Sequence, residues 1–552
     1  MQSTMMRFPL TLDHILERAG KLFGKSEIVS RLPDRTLHRY AYNDFHRRAR
    51  ALAGALQRLG LKRGDRVATL MWNHYAHLEA YFAVPCAGGV LHTLNLRLHP
   101  DDIAYIANHA GDRFLIVDDI LLPLYDKFRD RARFEQVIVV SLSREKVAER
   151  AGSLPSSGTP TAGRADYEAL ISDAAPFTPP ALDENDAAGM CYTSGTTGKP
   201  KGVVYSHRSI VLHSLATATV DYMGVAHADA VCPVVPMFHV NAWGIPFTAV
   251  MMGSKLVFPG PHLDAESLLD LYQSEQVTLT AGVPTIWMSI LQALEKAPAR
   301  WRLAPGMRMV VGGAAASETM IRAFDKFGLR VTHGWGMTET SPVGTVNYLK
   351  RELGGRSAEE QYVTRAKQGM PLPFFEVRAM GGEAEVPWDG MTMGELQVRG
   401  PWVAAGYHDL DQEADKWTAD GWFRTGDIVT IDAAGYVKIT DRIKDLVKSG
   451  GEWISSIDLE NALASHPRVA EAAVIAVPHP KWGERPLAVV VLKAGDAATE
   501  EELRDHLATK FAKFWLPDGI VFVNEIPRTS TGKMMKAVLR ERYRDWRKRD
   551  EE

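Results

Sequence analysis

The stretch YTSGTTGKPKG, from Tyr192 to Gly202, brings glycines, hydroxyl side chains and two lysines together in one short segment. Glycines let backbone N–H groups turn towards an anion, hydroxyls add hydrogen-bond donors, and lysines supply positive charge. The segment AGMCY, which leads into the stretch, has the apolar character of a strand. The combination predicts a phosphate-binding loop, and a glycine-rich surface turn is the alternative.

Known phosphate-binding templates do not fit this stretch. A Walker loop has four residues between its glycines and a Ser or Thr after its lysine. Here two residues separate Gly195 from Gly198, and Pro200 follows Lys199. Proline removes a backbone donor and disfavours helix at the residue before it. A P-loop NTPase is therefore not indicated, and the rest of the chain has to decide between loop and turn.

Composition places the chain among ordinary globular proteins. It has 552 residues, 46% of them hydrophobic and 24% charged, so we expect two or more domains. A formal charge of −3 argues against a nucleic-acid binder, which would carry a basic excess. Cys86, Cys191 and Cys232 indicate neither a disulfide framework nor a zinc site. No apolar run reaches the length of a membrane span, so we expect a soluble, cytoplasmic protein.

Amphipathic helices alternate with short apolar strands over most of the chain. Apolar side chains from Phe45 to Leu59 recur with helical spacing, Gly60 is placed to end that helix, and DRVATLMW follows as a strand. Four further apolar segments predict strands of mostly parallel sheets covered by helices. They are FLIVDD, QVIVVS, SKLVFPG and MRMVVGG. The pattern predicts an α/β protein.

Two segments depart from this pattern. The stretch 151–189 is rich in Pro, Ser, Gly and Ala, which predicts an excursion over the surface rather than core. Near Asp441 the segment DRIKDLVKSGGEWIS is charged and contains glycines. After it come three apolar strand-like segments and a helix that starts from Thr499. We place a domain boundary near Asp441, followed by a small α+β domain of ordinary size.

The stretch from Tyr192 to Gly202 closely resembles the phosphate-binding signature of the adenylate-forming superfamily, which comprises acyl- and aryl-CoA ligases, peptide-synthetase adenylation domains and luciferases. Further motifs of that superfamily follow in order, and such a set is far more specific than any single motif. They are PMFHVNAWG at 236–244, VVGGAAAS at 310–317, HGWGMTETSP at 333–342, GWFRTGDI at 421–428, DRIKDLVKSGGEWIS at 441–455 and PRTSTGKMMK at 527–536. The resemblance covers essentially the whole chain.

The resemblance implies an α/β fold in two parts. A large N-terminal adenylate-forming domain, with layered sheets and helices plus a small β-barrel-like subdomain, would occupy residues 1–440. A hinge at 441–446 would connect it to a small mobile α+β C-terminal domain at 447–552. The implied assembly is a homodimer.

The implied reaction has two halves. A carboxylate attacks the α-phosphate of ATP to give an acyl-adenylate and pyrophosphate, and the thiol of coenzyme A then attacks the acyl carbon and releases AMP. The implied ligands are therefore ATP, Mg²⁺, coenzyme A and a small carboxylic acid.

Roles are carried over from the family residue by residue. Lys533 would bridge the attacking carboxylate and the α-phosphate, and Thr193 with Glu339 would hold the metal. The implied catalytic residues are Lys533, Glu339 and Thr193. The implied nucleotide- and coenzyme-binding residues are Thr193, Ser194, Gly195, Thr196, Thr197, Gly198, Lys199, Gly313, Ala314, Ala315, Gly334, Trp335, Gly336, Met337, Thr338, Asp427, Arg442, Lys444, Lys448 and Trp453.

Several of these positions have individual roles in the resembling enzymes. Trp335, a tyrosine in many relatives, would stack on adenine, and Asp427 would accept hydrogen bonds from the ribose hydroxyls. Lys444 occupies the hinge position. The loop KSGGEW, with Lys448 and Trp453, would swing with the small domain and help to form the pantetheine channel. Lys536, by contrast, is interpreted as a solvated helix residue.

The implied substrate-pocket residues are His239, Trp243, Val235 and Val311. Trp243 is the candidate gate of an acyl tunnel, and His239 is a candidate wall or thiol-channel residue. Apolar residues such as Val235, Val311 and Met237 fit an acyl pocket and an ordinary core equally well.

The subgroup that the chain resembles most is the bacterial fatty-acyl-CoA synthetases for medium to long chains, through the segment around Trp243, KDLVKSGGEWISS and HPKWGERPLAVVV. A ligase for a short or sulfur-containing acid, such as 3-methylmercaptopropionate, is the alternative within the class. A non-CoA acyl-adenylating module and a luciferase-like oxygenase are alternatives outside it. No transmembrane segment is expected, and peripheral contact with a membrane stays open if the acid is long.

Overall fold

A computed structural model of the chain describes residues 1–142, 163–173, 177–193, 199–450, 452–529 and 534–546. The helix predicted upstream of Gly60 is present as Tyr42–Arg58, and Gly60 has a positive φ of 89° directly after it. All five strands predicted from apolar segments are present. They are Arg66–Leu70, Asp112–Asp118, Gln136–Val140, Lys255–Phe258 and Arg308–Val311.

The first large sheet has seven strands. Its pairs are parallel except the last, which is an antiparallel pair leading into and out of the glycine-lysine stretch. In spatial order the strands are Gly163–Asp166, Gln136–Val140, Asp112–Asp118, Arg66–Leu70, Val90–Thr93, Ala187–Tyr192 and Gly202–Ser206.

The second large sheet has nine strands, parallel in its centre and antiparallel at both edges. In spatial order they are Met370–Pro371, Val343–Val346, Arg330–Gly336, Arg308–Val311, Leu279–Gly282, Ala230–Pro233, Lys255–Phe258, Glu27–Arg31 and Leu37–Ala41. Strands buried on both faces read as continuous apolar runs, which is why composition alone located them.

Helices cover both sheets, and one lies between them. Every residue of helix Tyr75–Cys86 is buried, and the helix contacts strands of both large sheets. The other described α-helices of this part are Leu12–Phe23, Tyr42–Arg58, Pro100–Ala110, Leu122–Tyr125, Tyr167–Ser172, His207–Ala218, Ile245–Met252, Ala265–Glu275, Pro284–Lys296, Glu318–Asp325 and Ala358–Arg365.

A smaller antiparallel sheet of five strands follows, and its last strand, Val437–Arg442, leads into the predicted hinge. In spatial order the strands are Ala384–Glu385, Glu376–Gly381, Gly394–Arg399, Phe423–Ile431 and Val437–Arg442.

The C-terminal part has a sheet and core of its own. Its strands are Glu452–Ile454, Val447–Ser449, Gly483–Leu492 and Val469–His479, with Gly519–Phe522 parallel to Gly483–Leu492, and its described α-helices are Ser456–Ala464, Glu500–Ala508 and Lys536–Arg542. The helix predicted from Thr499 is present as Glu500–Ala508, and Thr499 is its N-cap, because the Thr499 side chain accepts a hydrogen bond from the backbone N–H of Glu502. The mixed α/β architecture with a separate C-terminal part matches the predicted fold class.

The prediction of a surface excursion is wrong for residues 163–172, which form an edge strand and a short helix. Tyr167 of that helix is fully buried, and its hydroxyl donates to Glu79 Oε2 at 2.7 Å. Arg48 holds the other oxygen of Glu79 at 2.7 Å. A buried ion pair distant in sequence therefore fixes this segment.

In the described part of the chain, every helix is too short or too polar to cross a lipid bilayer.

Candidate active site

A cavity opens where the central strands of the nine-stranded sheet end. Val235, Val283, Gly312 and Met337 line it, and each follows the carboxyl end of one of those strands. Residues of the seven-stranded sheet's glycine-lysine stretch and of the five-stranded sheet that ends at Arg442 complete the wall, among them Thr193. Ligands of open α/β sheets bind in such crevices at the carboxyl ends of strands.

The neck of the glycine-lysine stretch is closed by two hydrogen bonds. The N–H of Thr193 donates to the carbonyl of Lys201 at 2.9 Å, and the N–H of Lys201 donates to Thr193 Oγ1 at 3.0 Å. Thr193, Lys199 and Lys201 all line the cavity. Ser194, Gly195, Thr196, Thr197 and Gly198, the predicted phosphate-binding residues between them, lie outside the described residues.

The charge of the described lining is strongly positive. Among the described residues that line the cavity, the acidic side chain is that of Glu339. Its cations are Arg97, Lys199, Lys201, Lys416, Arg424 and Arg442. Such a concentration of positive charge in a cleft attracts a polyanion and offsets the charge of bound phosphates.

Trp335, Asp427 and Arg442 form a connected group at one side of the cavity. Trp335 Nε1–H donates to Asp427 Oδ2 at 2.9 Å, and Arg442 Nε lies 2.6 Å from Asp427 Oδ1. Asp427 and Arg442 are opposite each other on the paired strands Phe423–Ile431 and Val437–Arg442. The carboxylate therefore fixes the orientation of the indole, which is 8% exposed and presents itself to the cavity.

Glu339 stands in a short 3₁₀ turn, Thr338–Thr340, and is nearly buried. Its Oε1 accepts a hydrogen bond from the Tyr407 hydroxyl at 2.6 Å, and its carbonyl accepts from the N–H of Ala404 at 2.7 Å. Burial raises the pKa of Tyr407, and the charge of Glu339 raises it further, so the phenol stays a donor. Glu339 and Thr193 bring the hard oxygen ligands that Mg²⁺ prefers to one cavity.

The chain segment beside the apolar side of the cavity has an uncommon backbone conformation. Four consecutive non-glycine residues, Val240 to Trp243, have φ between 45° and 59°, and Gly244 continues the run at 72°. L-residues prefer to avoid this left-handed conformation by roughly 1–2 kcal/mol each. The run is held in place between His239 and helix Ile245–Met252.

This left-handed run sets the position of Trp243. Its indole lies directly on Gly312, where a Cβ atom would be 2.9 Å from Cη2. His239, Val235 and Val311 line the same part of the cavity. The indole thus packs on the Gly312 backbone and lines the cavity together with these apolar side chains.

The sequence profile of AMP-binding enzymes matches residues 17–408. The chain belongs to this family. The profile of the family's C-terminal domain matches residues 458–533.

Individual relatives in the family match nearly the whole chain. A long-chain-fatty-acid–CoA ligase of Thermus thermophilus is 51% identical over 548 residues, which cover 99% of this chain and 97% of the relative. A 3-methylmercaptopropionyl-CoA ligase of Ruegeria lacuscaerulensis is 44% identical over 549 residues, 99% of each chain. The crystal structure of the anthranilate CoA ligase AuaEII with anthranoyl-AMP superimposes with a TM-score of 0.84 at 25% identity, covering 98% of this chain and 99% of that one.

Most described residues predicted for an AMP-binding enzyme's site lie in or against this one cavity. Asp427 reaches it through Trp335 and Arg442. The predicted residues that line the cavity are Thr193, Lys199, Val235, His239, Trp243, Val311, Gly313, Gly334, Trp335, Gly336, Met337, Thr338, Glu339 and Arg442.

Other predicted residues lie elsewhere in the described structure. Ala314 and Ala315 follow Gly313 but are outside the lining, and so are Lys444, Lys448 and Trp453 on the C-terminal side. Lys533 lies outside the described residues. Met237 is core, because its N–H is bonded to Asn73 and its side chain is fully buried.

Sequence reasoning missed Tyr407, Lys416 and Arg97, all of which line the cavity. None belongs to the motifs quoted above, so no local pattern marked them. Tyr407 is recognisable only through its hydroxyl bond to Glu339, 68 positions away in the chain. Arg424 was within reach of sequence reasoning, since it lies inside GWFRTGDI.

Proposed function

We propose that this AMP-binding enzyme is an ATP-dependent acyl-CoA ligase that activates a medium- or long-chain fatty acid. The single observation that carries the proposal is the joining of two environments in one cavity. A cationic wall that includes Lys199 and Lys201 adjoins an apolar wall that includes Val235 and Val311. Trp335 and Trp243 line the space where the two meet.

In the first half-reaction a carboxylate oxygen of the acid attacks the α-phosphorus of ATP. The bond from that phosphorus to the bridging oxygen of the β-phosphate breaks, and pyrophosphate leaves. Negative charge grows on the phosphates during this step, so preorganised cations lower its barrier. Lys199 and Arg424 supply such charge, whereas Lys201 Nζ is paired with Glu413 Oε2 at 2.5 Å, and Lys533 is the proposed bridge between the carboxylate and the α-phosphate.

Adenosine would be held by Trp335 and Asp427. The indole lines the cavity as a candidate stacking partner, and the bond from its Nε1–H to Asp427 fixes its orientation. Asp427 would also accept hydrogen bonds from the ribose hydroxyls once Arg442, the more exposed of its two partners, moves away from Oδ1. The backbone of the GGAA segment, of which Gly312 and Gly313 line the cavity, would lie against the base, since small residues permit close approach.

Glu339 and Thr193 are the proposed holders of Mg²⁺. Bound there, the ion would neutralise charge on the phosphates. The task of Tyr407 is to orient the carboxylate of Glu339 through the 2.6 Å hydrogen bond.

In the second half-reaction the thiol sulfur of coenzyme A attacks the acyl carbon. The bond from that carbon to the adenylate oxygen breaks, AMP leaves, and the thiol proton passes to solvent. Because Lys533 would occupy the same region during adenylation, the C-terminal part has to reorient about Lys444 between the halves. Lys448 and Trp453 would then approach the cavity. We also propose residues 1–440, 441–446 and 447–552 as the corresponding domains and hinge.

A second acid class deserves a direct comparison. The relative from Ruegeria lacuscaerulensis is named for 3-methylmercaptopropionate, and the indole of Trp243 packs on Gly312 beside the apolar wall. If Trp243 is the gate of an acyl tunnel, a short, sulfur-containing acid would bind with the indole in this position, whereas a long chain would require the indole to move.

The test is acid-dependent pyrophosphate release over a panel from propionate to palmitate, with 3-methylmercaptopropionate included and with coenzyme A present or absent. The proposal predicts the highest kcat/KM for acids of about eight or more carbons, and AMP release that requires coenzyme A. A peak at 3-methylmercaptopropionate would select the second candidate. Adenylate formation without any transfer to coenzyme A would identify a non-CoA adenylating module instead.

A further inference from the structure

A buried lysine joins the elements around the proposed hinge. Lys536, the first residue of helix Lys536–Arg542, has a side chain only 10% exposed. Its Nζ donates to Ser456 Oγ at 2.6 Å and lies 2.6 Å from Glu460 Oε1. The interpretation of Lys536 as a solvated helix residue is therefore wrong, because residues of another helix surround its ammonium group.

The same cluster reaches the strand that precedes Lys444. Asp441, 1% exposed, accepts a hydrogen bond on Oδ2 from the N–H of Ser456 at 2.6 Å. Directly beside it, the hydroxyl of Ser455 donates to the carbonyl of Thr440. Helix Ser456–Ala464 is thus docked by its N-terminus onto strand Val437–Arg442.

Electrostatics keep the ammonium charged. Burial alone would lower the pKa of Lys536, but Glu460, Asp441 and Asp445 outweigh burial and raise it. A buried charge of this kind is tolerated only while its partners stay in place. We call Asp441, Ser456, Glu460 and Lys536 the hinge latch.

The latch is adjacent to the segment that carries Lys533. Lys536 follows Lys533 by three positions in the sequence. Arg528 and Met534, which flank residues 530–533, form an antiparallel bridge, and the N–H of Met535 donates to the carbonyl of Pro527 at 2.7 Å. Both ends of that segment are therefore fixed next to Lys536.

We propose that Lys536 is a positioning residue for adenylation: through Ser456 and Asp441 it holds the C-terminal part in the orientation that the adenylation half-reaction uses. The inference rests on the role proposed for Lys533.

The contacts of the hinge latch can form in only one orientation of the C-terminal part. Asp441 lies before Lys444, whereas Ser456, Glu460 and Lys536 lie after it, so a rotation at Lys444 separates Asp441 from the other three. In the described structure Arg442 lines the cavity and no described residue of 447–454 does. The latch therefore closes when the proposed pantetheine loop is outside the cavity, which is the arrangement that adenylation needs.

The test separates the two half-reactions. Asp441→Asn keeps an acceptor for the Ser456 N–H but removes the charge beside Lys536. We expect acid-dependent ATP–pyrophosphate exchange to fall about tenfold, the factor that about 1.4 kcal/mol of lost coupling gives. Thioester formation from supplied acyl-adenylate and coenzyme A should stay within about twofold of the unchanged enzyme, because it uses the other orientation. Lys536→Met should act in the same direction, and Lys536→Arg should restore most of the exchange.

Lys438→Met is the matched control. Lys438 joins the same strand to the same helix through Asp458 at 2.9 Å, but its side chain is 42% exposed, and exposed pairs contribute little. It should leave the ratio of the half-reactions unchanged.

Three results would overturn the latch. One is an equal fall of both half-reactions in Asp441→Asn, which indicates general damage to the fold. The second is ATP–pyrophosphate exchange that is unchanged in Asp441→Asn. If Lys536→Met does not fold, Asp441→Asn alone decides the test. The third is absence of acid-dependent exchange in the unchanged enzyme, which would remove the proposed function and the latch with it.

Discussion

Replacement of Asp427 by Asn tests the adenosine side of the cavity most sharply. The change keeps the size of the side chain but removes its charge. Asp427 is 1% exposed and holds Trp335 Nε1–H at 2.9 Å and Arg442 Nε at 2.6 Å. An amide has one acceptor oxygen, so one of these two donors would face an NH₂ group instead of an oxygen.

The magnitude follows from the burial of the partners. A hydrogen bond to a charged group contributes about 1.5–3 kcal/mol, which corresponds to about a ten- to hundredfold change in a rate or binding constant. The Arg442 side chain is 40% exposed, so water screens its share of the loss. We therefore assign most of the effect to the buried Trp335 bond.

The assay is kcat/KM for ATP, measured by pyrophosphate release at saturating acid, and we expect a fall of about ten- to a hundredfold. Asp420→Asn is the control, because Asp420 pairs with Arg378 at 2.8 Å but is 58% exposed, and it should have no effect. Trp335→Phe, which keeps a ring but loses the N–H, should be non-additive with Asp427→Asn. A value within twofold of the unchanged enzyme for Asp427→Asn would refute the reasoning.

The remaining predictions concern the metal, the gate and pH. Glu339→Gln should lower pyrophosphate release about a hundredfold at low Mg²⁺ and recover in part as Mg²⁺ is raised, because one ligand of the ion is lost; a fall that does not depend on the Mg²⁺ concentration would contradict a direct ligand role. Trp243→Ala should raise the ratio of kcat/KM for dodecanoate to kcat/KM for propionate about tenfold. An unchanged ratio would contradict the proposed role of Trp243 as a gate. Burial lowers the pKa of His333 to about 4, so below its unfolded pKa of about 6.5 the unfolded chain binds a proton that the fold excludes. The free energy of unfolding therefore decreases as the pH falls below about 6.5, and at about pH 5 it is lower by about 2 kcal/mol. The urea midpoint should fall accordingly, and less in His333→Gln.

Local patterns located the strands and the helix Tyr42–Arg58 because their apolar side chains are spaced by the geometry of one element. The same reasoning failed for Tyr167 and Lys536. Both side chains are buried, and each pairs with a carboxylate that lies far away in the sequence. Tyr167 pairs with Glu79, and Lys536 pairs with Glu460. Composition within a window carries no information about such partners.

The candidate site shows the same division. Motif resemblance placed Thr193, Trp335 and Glu339 in one cavity, although these positions are spread over the chain. It could not supply Tyr407, which lies outside the quoted motifs. Nor could it supply the left-handed run that ends at Trp243, because residue propensities argue against positive φ at four consecutive non-glycine positions.

The central chemical claim, that a carboxylate oxygen becomes bonded to the α-phosphorus of ATP, has a direct isotopic test. The acid is supplied with ¹⁸O in its carboxylate, together with ATP and coenzyme A, and the products are analysed by mass spectrometry. Cleavage of the acyl carbon–oxygen bond by the thiol should leave one ¹⁸O atom in AMP and none in pyrophosphate. Label in inorganic phosphate, accompanied by ADP, would instead mean attack at the γ-phosphorus and would contradict the account.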